Sequence, residues 1–140
     1  MAEYRHISEI RYRIRQFLHF SEQAARENGI DPQQHQLLLA INGLPEGTRP
    51  TITAVSERLC IRHHSAVELV NRGVAQGSVL KQPSPDDARE VLLSLTPEGE
   101  RILQKLSVLH WQELQNSGPS LSEALRAIVQ HTGRKTRKSA

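Results

Sequence analysis

The hydrophobic pattern of the chain changes period along its length, and these changes place the predicted helices and strands. Apolar residues recur every three or four positions from about 7 to 28 and in five later segments, as on amphipathic helices. Val91, Leu93 and Leu95 instead alternate with Leu92 and Ser94, which is the period of a strand with one buried face. The pattern therefore predicts a mainly α-helical fold of six helices and one β-hairpin.

Residues that cap or stop helices set the predicted boundaries. Asp31, Thr51 and Thr96 each precede a helical segment and have the side-chain oxygen of an N-cap, and Gln34 is placed to form a capping box with Asp31. The Ser-Gly-Pro segment 117–119 is predicted to break the last helical stretch in two. The six predicted helices span about 7–28, 31–42, 52–59, 63–76, 97–116 and 120–132.

The centre of the chain is predicted to form a helix-turn-helix followed by a hairpin. Residues 59–62 form the corner between the third and fourth helices, and the hairpin pairs 79–82 with 90–95 across a tip at 83–89. This order of elements can place the fourth helix in a DNA major groove. The sequence therefore predicts a winged helix-turn-helix, in which the hairpin is the wing.

Length and composition indicate one soluble domain. A chain of 140 residues fits a single domain and can bury a core without disulfides. It lacks a signal-peptide-like start, and no apolar run approaches the roughly 18 residues of a membrane helix. The one cysteine, Cys60, cannot pair within the chain, which suits a reducing compartment. We expect a cytoplasmic protein with no membrane partner.

The net charge of +3 comes from the end of the chain, because the tail Arg134, Lys135, Arg137 and Lys138 supplies more than this total. DNA binding must then depend on where the cations lie, and not on their sum. Within the single domain 1–140 we expect a DNA-binding unit at 31–96, dimerisation helices at 5–30 and 97–132, and a basic tail at 133–140. The apolar stripes of the outer helices exceed what the central unit can cover, which favours a homodimer.

Three segments carry a resemblance to the MarR (multiple antibiotic resistance regulator) family. They are 54–59 (AVSERL), 65–72 (SAVELVNR) and 86–99 (DDAREVLLSLTPEG), and the last is the most specific, with its Asp-x-Arg tip and Leu-Thr-x-x-Gly helix start. The resemblance implies a winged helix-turn-helix homodimer that binds pseudo-palindromic operators, usually as a repressor. It also implies that a small phenolic or anionic ligand releases the DNA.

The resemblance also assigns residues to DNA. Arg89 would be the wing arginine that enters a minor groove, and Asp87 would brace it. Arg62 stands where the family has a Ser or Thr cap, and Gly73 replaces a usual Leu, which would thin the packing of the helix. Arg49, Arg58, Arg62 and Arg72 surround the unit, and some are expected on phosphates. The recognition helix would supply His63, His64, Ser65, Val67 and Glu68 to the major groove.

Other functions fit parts of the pattern. Cys60, His63 and His64 suggest a metal- or redox-responsive sensor, although a zinc site needs three or four ligands and a cysteine in a helix corner is more often packed and inert. A winged helix that binds protein instead of DNA is a further alternative. The chain has no phosphate-binding glycine loop, nucleophile elbow or paired carboxylates, so we expect neither an enzyme nor a cofactor.

An effector pocket, if present, is expected between the outer helices and the winged unit. Polar or aromatic residues on the helices could border it. These candidates are Arg15, His19, His35 and Trp111.

Overall fold

The backbone of residues 2–139 folds into five helices and one antiparallel two-stranded sheet in the computed structural model, which describes the side chains of residues 3–131. The predicted mainly helical fold with a β-hairpin is confirmed. The elements are α1 (Ala2–Glu27), α2 (Pro32–Asn42), α3 (Ile52–Leu59), α4 (His63–Ala75), β1 (Val79–Pro83), β2 (Val91–Leu95) and α5 (Pro97–Ser139).

The prediction of six helices is wrong, because α5 continues through Pro119. Proline removes one backbone hydrogen bond and costs about 3 kcal/mol in a helix interior. The helix nevertheless continues, since Ala124 beyond it is buried and Leu121 and Ile128 on the same face are half-buried. Packing of this face outweighs the local cost of Pro119. The Ser117 hydroxyl donates to the Glu113 carbonyl oxygen at 2.9 Å just before the proline.

The predicted end of the last helix at 132–133 is also wrong, because the helical backbone extends to Ser139. Arg and Lys are strong helix formers and favour the negative C-terminal end of a helix, so the basic tail can continue the helix. The side chains of the tail lie outside the described residues.

Capping explains where the central helices begin. The Asp31 carboxylate accepts from the Gln33 backbone N–H at 2.8 Å, and Thr51 Oγ1 accepts from Ala54 N at 3.1 Å. Thr96 Oγ1 caps α5 by accepting from Gly99 N at 3.0 Å. These three predicted caps are confirmed.

The predicted capping box at Gln34 is wrong, because this side chain is buried and points to another helix. Its Nε2 donates to the Leu69 carbonyl oxygen of α4 at 3.0 Å. The buried Nε2 donor of Gln34 needs an acceptor, and α4 supplies it, whereas Gln34 Oε1 is buried without a hydrogen-bond partner among the described residues.

The chain divides into two compact units. The central unit is Ala25–Ser107, and the terminal unit comprises the chain up to Ala24 and from Val108 onward. In the central unit, α2, α3, α4 and the hairpin surround an apolar core, and the start of α5 adds to it. The buried residues of this core include Leu37, Leu38, Val55, Ala66, Val70, Val79, Leu93 and Leu106.

The hairpin is joined to the rest of the central unit by a second, short backbone pairing. β1 and β2 pair from Val79↔Leu95 to Pro83↔Val91, close to the predicted register. Thr51 forms an isolated bridge with Leu92 on the other edge of β2. The backbone that precedes α3 therefore runs alongside the wing.

In the terminal unit, α1 packs antiparallel to the second half of α5. At one end, His110 Nε2 lies 2.8 Å from Ser21 Oγ, and the ring of His110 contacts Phe17 and Phe20 edge-on. At the other end His131 Nε2 lies 3.5 Å from a Glu3 carboxylate oxygen. No helix in the described part of the chain is both long and apolar enough to cross a membrane.

Candidate nucleic-acid interface

Helix α4, the predicted recognition helix, has one buried and one exposed face. Ala66, Leu69, Val70 and Gly73 are buried against the central unit. The predicted DNA-contacting residues of α4 lie away from this buried face: His63, His64, Glu68 and Arg72 are exposed, and Ser65 and Val67 are half-buried. Asn71, which was not among them, is exposed beside Glu68 and Arg72.

The first turn of α4 leaves its N–H groups available to an anion. Arg62 is the N-cap residue and makes no side-chain cap hydrogen bond, in line with the missing Ser or Thr. His63 and His64 are exposed next to it. The free N–H groups and the positive helix end favour a phosphate at this position.

Gly73 fixes how closely α4 approaches its neighbours. A Cβ atom at this position would lie 2.8 Å from Val79 Cγ2 and 2.9 Å from Gln34 Oε1. The expectation that Gly73 thins the packing is therefore wrong. The glycine allows a closer contact than a leucine could make, and α4 is held between Gln34 and β1.

Gly99 has the same role at the start of α5. A Cβ atom there would lie 2.3 Å from the Ser78 carbonyl oxygen. That oxygen also accepts from Thr96 N at 3.0 Å, and Thr96 Oγ1 donates to Gly77 O at 2.6 Å. Thr96 and Gly99 of the Leu-Thr-x-x-Gly motif, which follow β2, therefore contact Gly77 and Ser78, which follow α4.

Arg89 projects from the tip of the wing with 93% of its side chain exposed. Asp87 Oδ1 accepts from the Arg89 backbone N–H at 3.0 Å and lies 3.4 Å from Arg89 Nε. The carboxylate therefore contacts both the backbone and the guanidinium of Arg89. Most of the guanidinium remains free to meet another group.

Arg49 lies at the base of the wing tip. From the sequence it was one of four arginines of which some were expected on phosphates. Its Nη2 lies 2.6 Å from Ser84 Oγ and 2.8 Å from Glu90 Oε1. The only sequence signal was an arginine next to Pro50 and Thr51, and nothing in the local pattern links it to a hairpin that begins thirty residues later. The contact depends on the pairing of residues 49–51 with β2.

Lys81 is a second residue whose place beside α4 does not follow from the sequence pattern. Its Nζ donates to Asn71 Oδ1 at 2.9 Å, so a cation of β1 lies beside the exposed face of α4. Lys81 is itself exposed and extends the positive surface from the helix to the wing.

Cys60 is exposed, in contrast to the packed position expected for a residue of the helix corner. It adopts a left-handed conformation with φ of 57° as the C-cap residue of α3. Among the described residues, no group of three or more His, Cys, Asp or Glu side chains could hold a metal ion.

The four candidate effector residues occupy different environments. His35 is buried at 2% exposure in the central unit, whereas Trp111 is 69% exposed in the terminal unit. Arg15 and His19 are exposed on α1. Within the central unit, a groove of about 570 Å³ instead runs beside α4, and Arg58, Leu59, Ser65, Leu69 and Arg72 are among its lining residues.

The winged part of the chain matches a known protein family. Residues 28–90 match the model of the MarR family. They include α2, α3, α4, β1 and residues 84–90, which connect the two strands, and they end just before β2. No curated protein matches the sequence.

Solved structures share the fold over nearly the whole chain. A MarR-family transcription regulator superposes with a TM-score of 0.75 at 16% identity, covering 99% of this chain and 95% of that one. A mutant of MarR from Escherichia coli complexed with operator DNA gives 0.68 at 22% identity, with 91% and 89% covered. Bordetella bronchiseptica BpsR, whose DNA binding is regulated by 6-hydroxynicotinic acid, gives 0.64 at 20% identity, with 91% and 94% covered.

Proposed function

We propose, on the premise that residues 28–90 are a MarR-family winged helix within a chain of that family's fold, that this protein is a sequence-specific DNA-binding transcriptional repressor. It acts as a homodimer on pseudo-palindromic operators. The observation that carries the proposal is the pairing of an exposed polar face on α4 with an exposed arginine at the wing tip.

The two surfaces suit different parts of a DNA site. An α-helix fits the major groove, where His64, Ser65 and Glu68 could meet base edges. A narrow minor groove concentrates negative potential that attracts an inserted arginine, as Arg89 would be. Lys81, Arg62 and Arg72 would neutralise phosphates between the two grooves and set the register of the protein.

The dimer is supported by apolar surface that the terminal unit leaves exposed. On α1, Tyr4, Ile7, Ile14 and Leu18 lie on one face and are 43–73% exposed. This face differs from the one that packs on α5, because steps of three and four residues keep a stripe on one side of a helix. The exposed apolar residues on α5 are Val108, Trp111, Leu114, Leu125 and Val129.

A second copy of the chain is the occupant that we propose for this surface. Exposed apolar stripes of this kind on two helices are unusual on monomers and typical of homodimer interfaces. A two-fold dimer would also place two recognition helices about one DNA turn apart, as palindromic operators require.

The groove beside α4 is the site that we propose for a small anionic effector. Its lining includes two arginines, Arg58 and Arg72, and the apolar residues Leu59 and Leu69. Such a site suits an aromatic carboxylate, because the ring would be buried and the acid paired. A ligand bound there would touch Ser65 and Glu68 of the recognition helix and would interfere with DNA.

Selection of bound fragments from genomic DNA, followed by binding assays with Arg89→Ala, tests the proposed function. The variant should bind the selected duplex about tenfold more weakly, which corresponds to about 1.4 kcal/mol for one charge-assisted contact. Its unfolding temperature and oligomeric state should equal those of the wild type, because Arg89 is exposed. Equal affinity of both proteins at moderate salt would contradict the proposed role of the wing.

A further inference from the structure

We propose that Arg49 is the positioning residue of the wing, which holds the tip at residues 84–90 in the conformation that presents Arg89. The inference rests on the proposed function, because it concerns how the wing would meet DNA. It does not make Arg49 a DNA-contacting residue.

The backbone around Arg49 is fixed against the wing. The Pro50 carbonyl oxygen accepts from Leu93 N at 2.7 Å, and Thr51 forms its bridge with Leu92. Residues 49–51 therefore run along the free edge of β2. From this position the Arg49 side chain extends to the base of the tip.

The guanidinium joins the two ends of the tip. Arg49 Nη2 lies 2.6 Å from Ser84 Oγ, at the start of the tip, and 2.8 Å from Glu90 Oε1, at its end. Asp86 Oδ2 lies 3.9 Å from the same nitrogen. Ser84 N also donates to the Glu90 carbonyl oxygen at 2.8 Å, so that the guanidinium reinforces the closure of the loop.

Two short sets of hydrogen bonds within the tip connect the residues that Arg49 contacts with Arg89. Ser84 Oγ, which accepts from Arg49, also accepts from Asp86 N at 3.2 Å. Glu90 N donates to the Asp87 carbonyl oxygen at 3.0 Å, and the Asp87 carboxylate accepts from Arg89 N. Ser84 is only 5% exposed, whereas residues 85–89 are all exposed. The tip thus has one buried attachment point, and Arg49 binds it.

The charges around Arg49 argue against a direct phosphate contact. Glu90 and Asp86 already neutralise the guanidinium, and a phosphate would have to compete with Glu90 for the same nitrogen. Lysine has the same charge, but its side chain is one atom shorter, so its ammonium would not reach the position of Nη2, which contacts both Ser84 and Glu90. The two roles therefore predict different results for Arg49→Lys.

The experiment compares Arg49→Met, Arg49→Lys, Arg89→Ala and the double variant Arg49→Met/Arg89→Ala with the wild type. Arg101→Met is the matched control, because Arg101 is a surface arginine bound to Glu98 and lies outside the wing network. One readout is amide hydrogen exchange at Ser84 and Glu90 without DNA. The other is affinity for the selected duplex and for a scrambled duplex at fixed salt.

The exchange of both amides should become about tenfold faster in Arg49→Met and in Arg49→Lys, and should stay unchanged in Arg101→Met. Arg49→Met should weaken binding to the selected duplex about fivefold, within the range of couplings in one hydrogen-bond network. In the Arg89→Ala background the same change should have less than about a twofold effect, because Arg49 acts through Arg89.

Additive losses in the double variant, or full affinity in Arg49→Lys, would overturn the inference in favour of a direct charge contact. Unchanged exchange in Arg49→Met would overturn it by showing that the tip does not depend on Arg49. If the wild type prefers no duplex, the proposed function fails, and the exchange experiment still decides whether Arg49 holds the tip.

Discussion

The side-chain amide of Gln34 donates to the Leu69 carbonyl oxygen at 3.0 Å, which joins α2 to the middle of the recognition helix. Gln34 is 2% exposed, and its Oε1 lies on the side where Gly73 has no side chain. One buried amide and one glycine therefore act with the apolar face of α4 to set the position of this helix.

Substitution of Gly73 by alanine should destabilise the protein, although alanine is the better helix former. The added methyl group would meet Val79 and Gln34 inside van der Waals distance, and overpacking of this kind costs about 1–3 kcal/mol. The gain in helix propensity, about 1 kcal/mol, works against this cost, and two close contacts at one methyl group should leave a net loss of stability. Urea unfolding measures the difference. Val74→Ala, on the exposed side of α4, is the control, and its free energy of unfolding should be nearly that of the wild type. Equal stability of Gly73→Ala and the wild type would contradict the close packing.

Substitution of Cys60 by glycine should raise stability by about 1 kcal/mol, because left-handed backbone costs L-residues roughly 1–2 kcal/mol and costs glycine little. Cys60 has φ of 57° and an exposed side chain, so little packing is lost. Cys60→Ala removes the thiol without relieving the backbone and serves as the control. Thermal unfolding that ranks the alanine variant above the glycine variant would refute this prediction.

Lys81→Met should reduce the salt dependence of DNA binding without changing sequence preference. A lost phosphate contact lowers the slope of log affinity against log salt by about 0.9. Lys105→Met removes an exposed cation from α5 and controls for net charge. A titration series at several salt concentrations gives the slope for each protein. An unchanged slope for Lys81→Met would remove Lys81 from the proposed interface.

Val129→Glu should convert the proposed dimer to monomers. Val129 is 65% exposed on the apolar stripe of α5, and a carboxylate buried there in a dimer would lack a partner. Gln130→Glu adds the same charge on the neighbouring exposed position and should leave the assembly intact. Sedimentation equilibrium gives the mass of each protein. A wild-type protein that sediments as a single chain would disprove the dimer, and an intact Val129→Glu dimer would place the interface elsewhere.

Capping residues and hydrophobic periodicity predicted the central helices and strands well, because the residues that form each of these elements are close in sequence. Thr51 and Thr96 cap the helices that follow them, and the alternation from Val91 to Leu95 gives both the strand and its buried face. The exposed face of α4 follows from helix geometry once its buried residues are known. The family match over residues 28–90 covers α3 and α4 but ends before β2 and the Thr96 cap.

Long-range contacts decided the features that sequence analysis missed. Pro119 breaks helices in isolation, but the packed face on either side of it keeps α5 continuous. Gln34 had a local role available as a capping residue, and the carbonyl of Leu69 proved the better partner in the folded chain. Arg49 appeared to be one surface cation among several, because only the folded structure brings Ser84 and Glu90 to its guanidinium.

The mass of the complex formed on a selected duplex tests the central claim most directly. Sedimentation of the wild-type protein with a labelled genomic duplex should give two chains per duplex at moderate salt, while a scrambled duplex of equal length should sediment free. A complex with one chain, or equal binding of both duplexes, would contradict the account of a dimer that reads DNA with α4 and the wing.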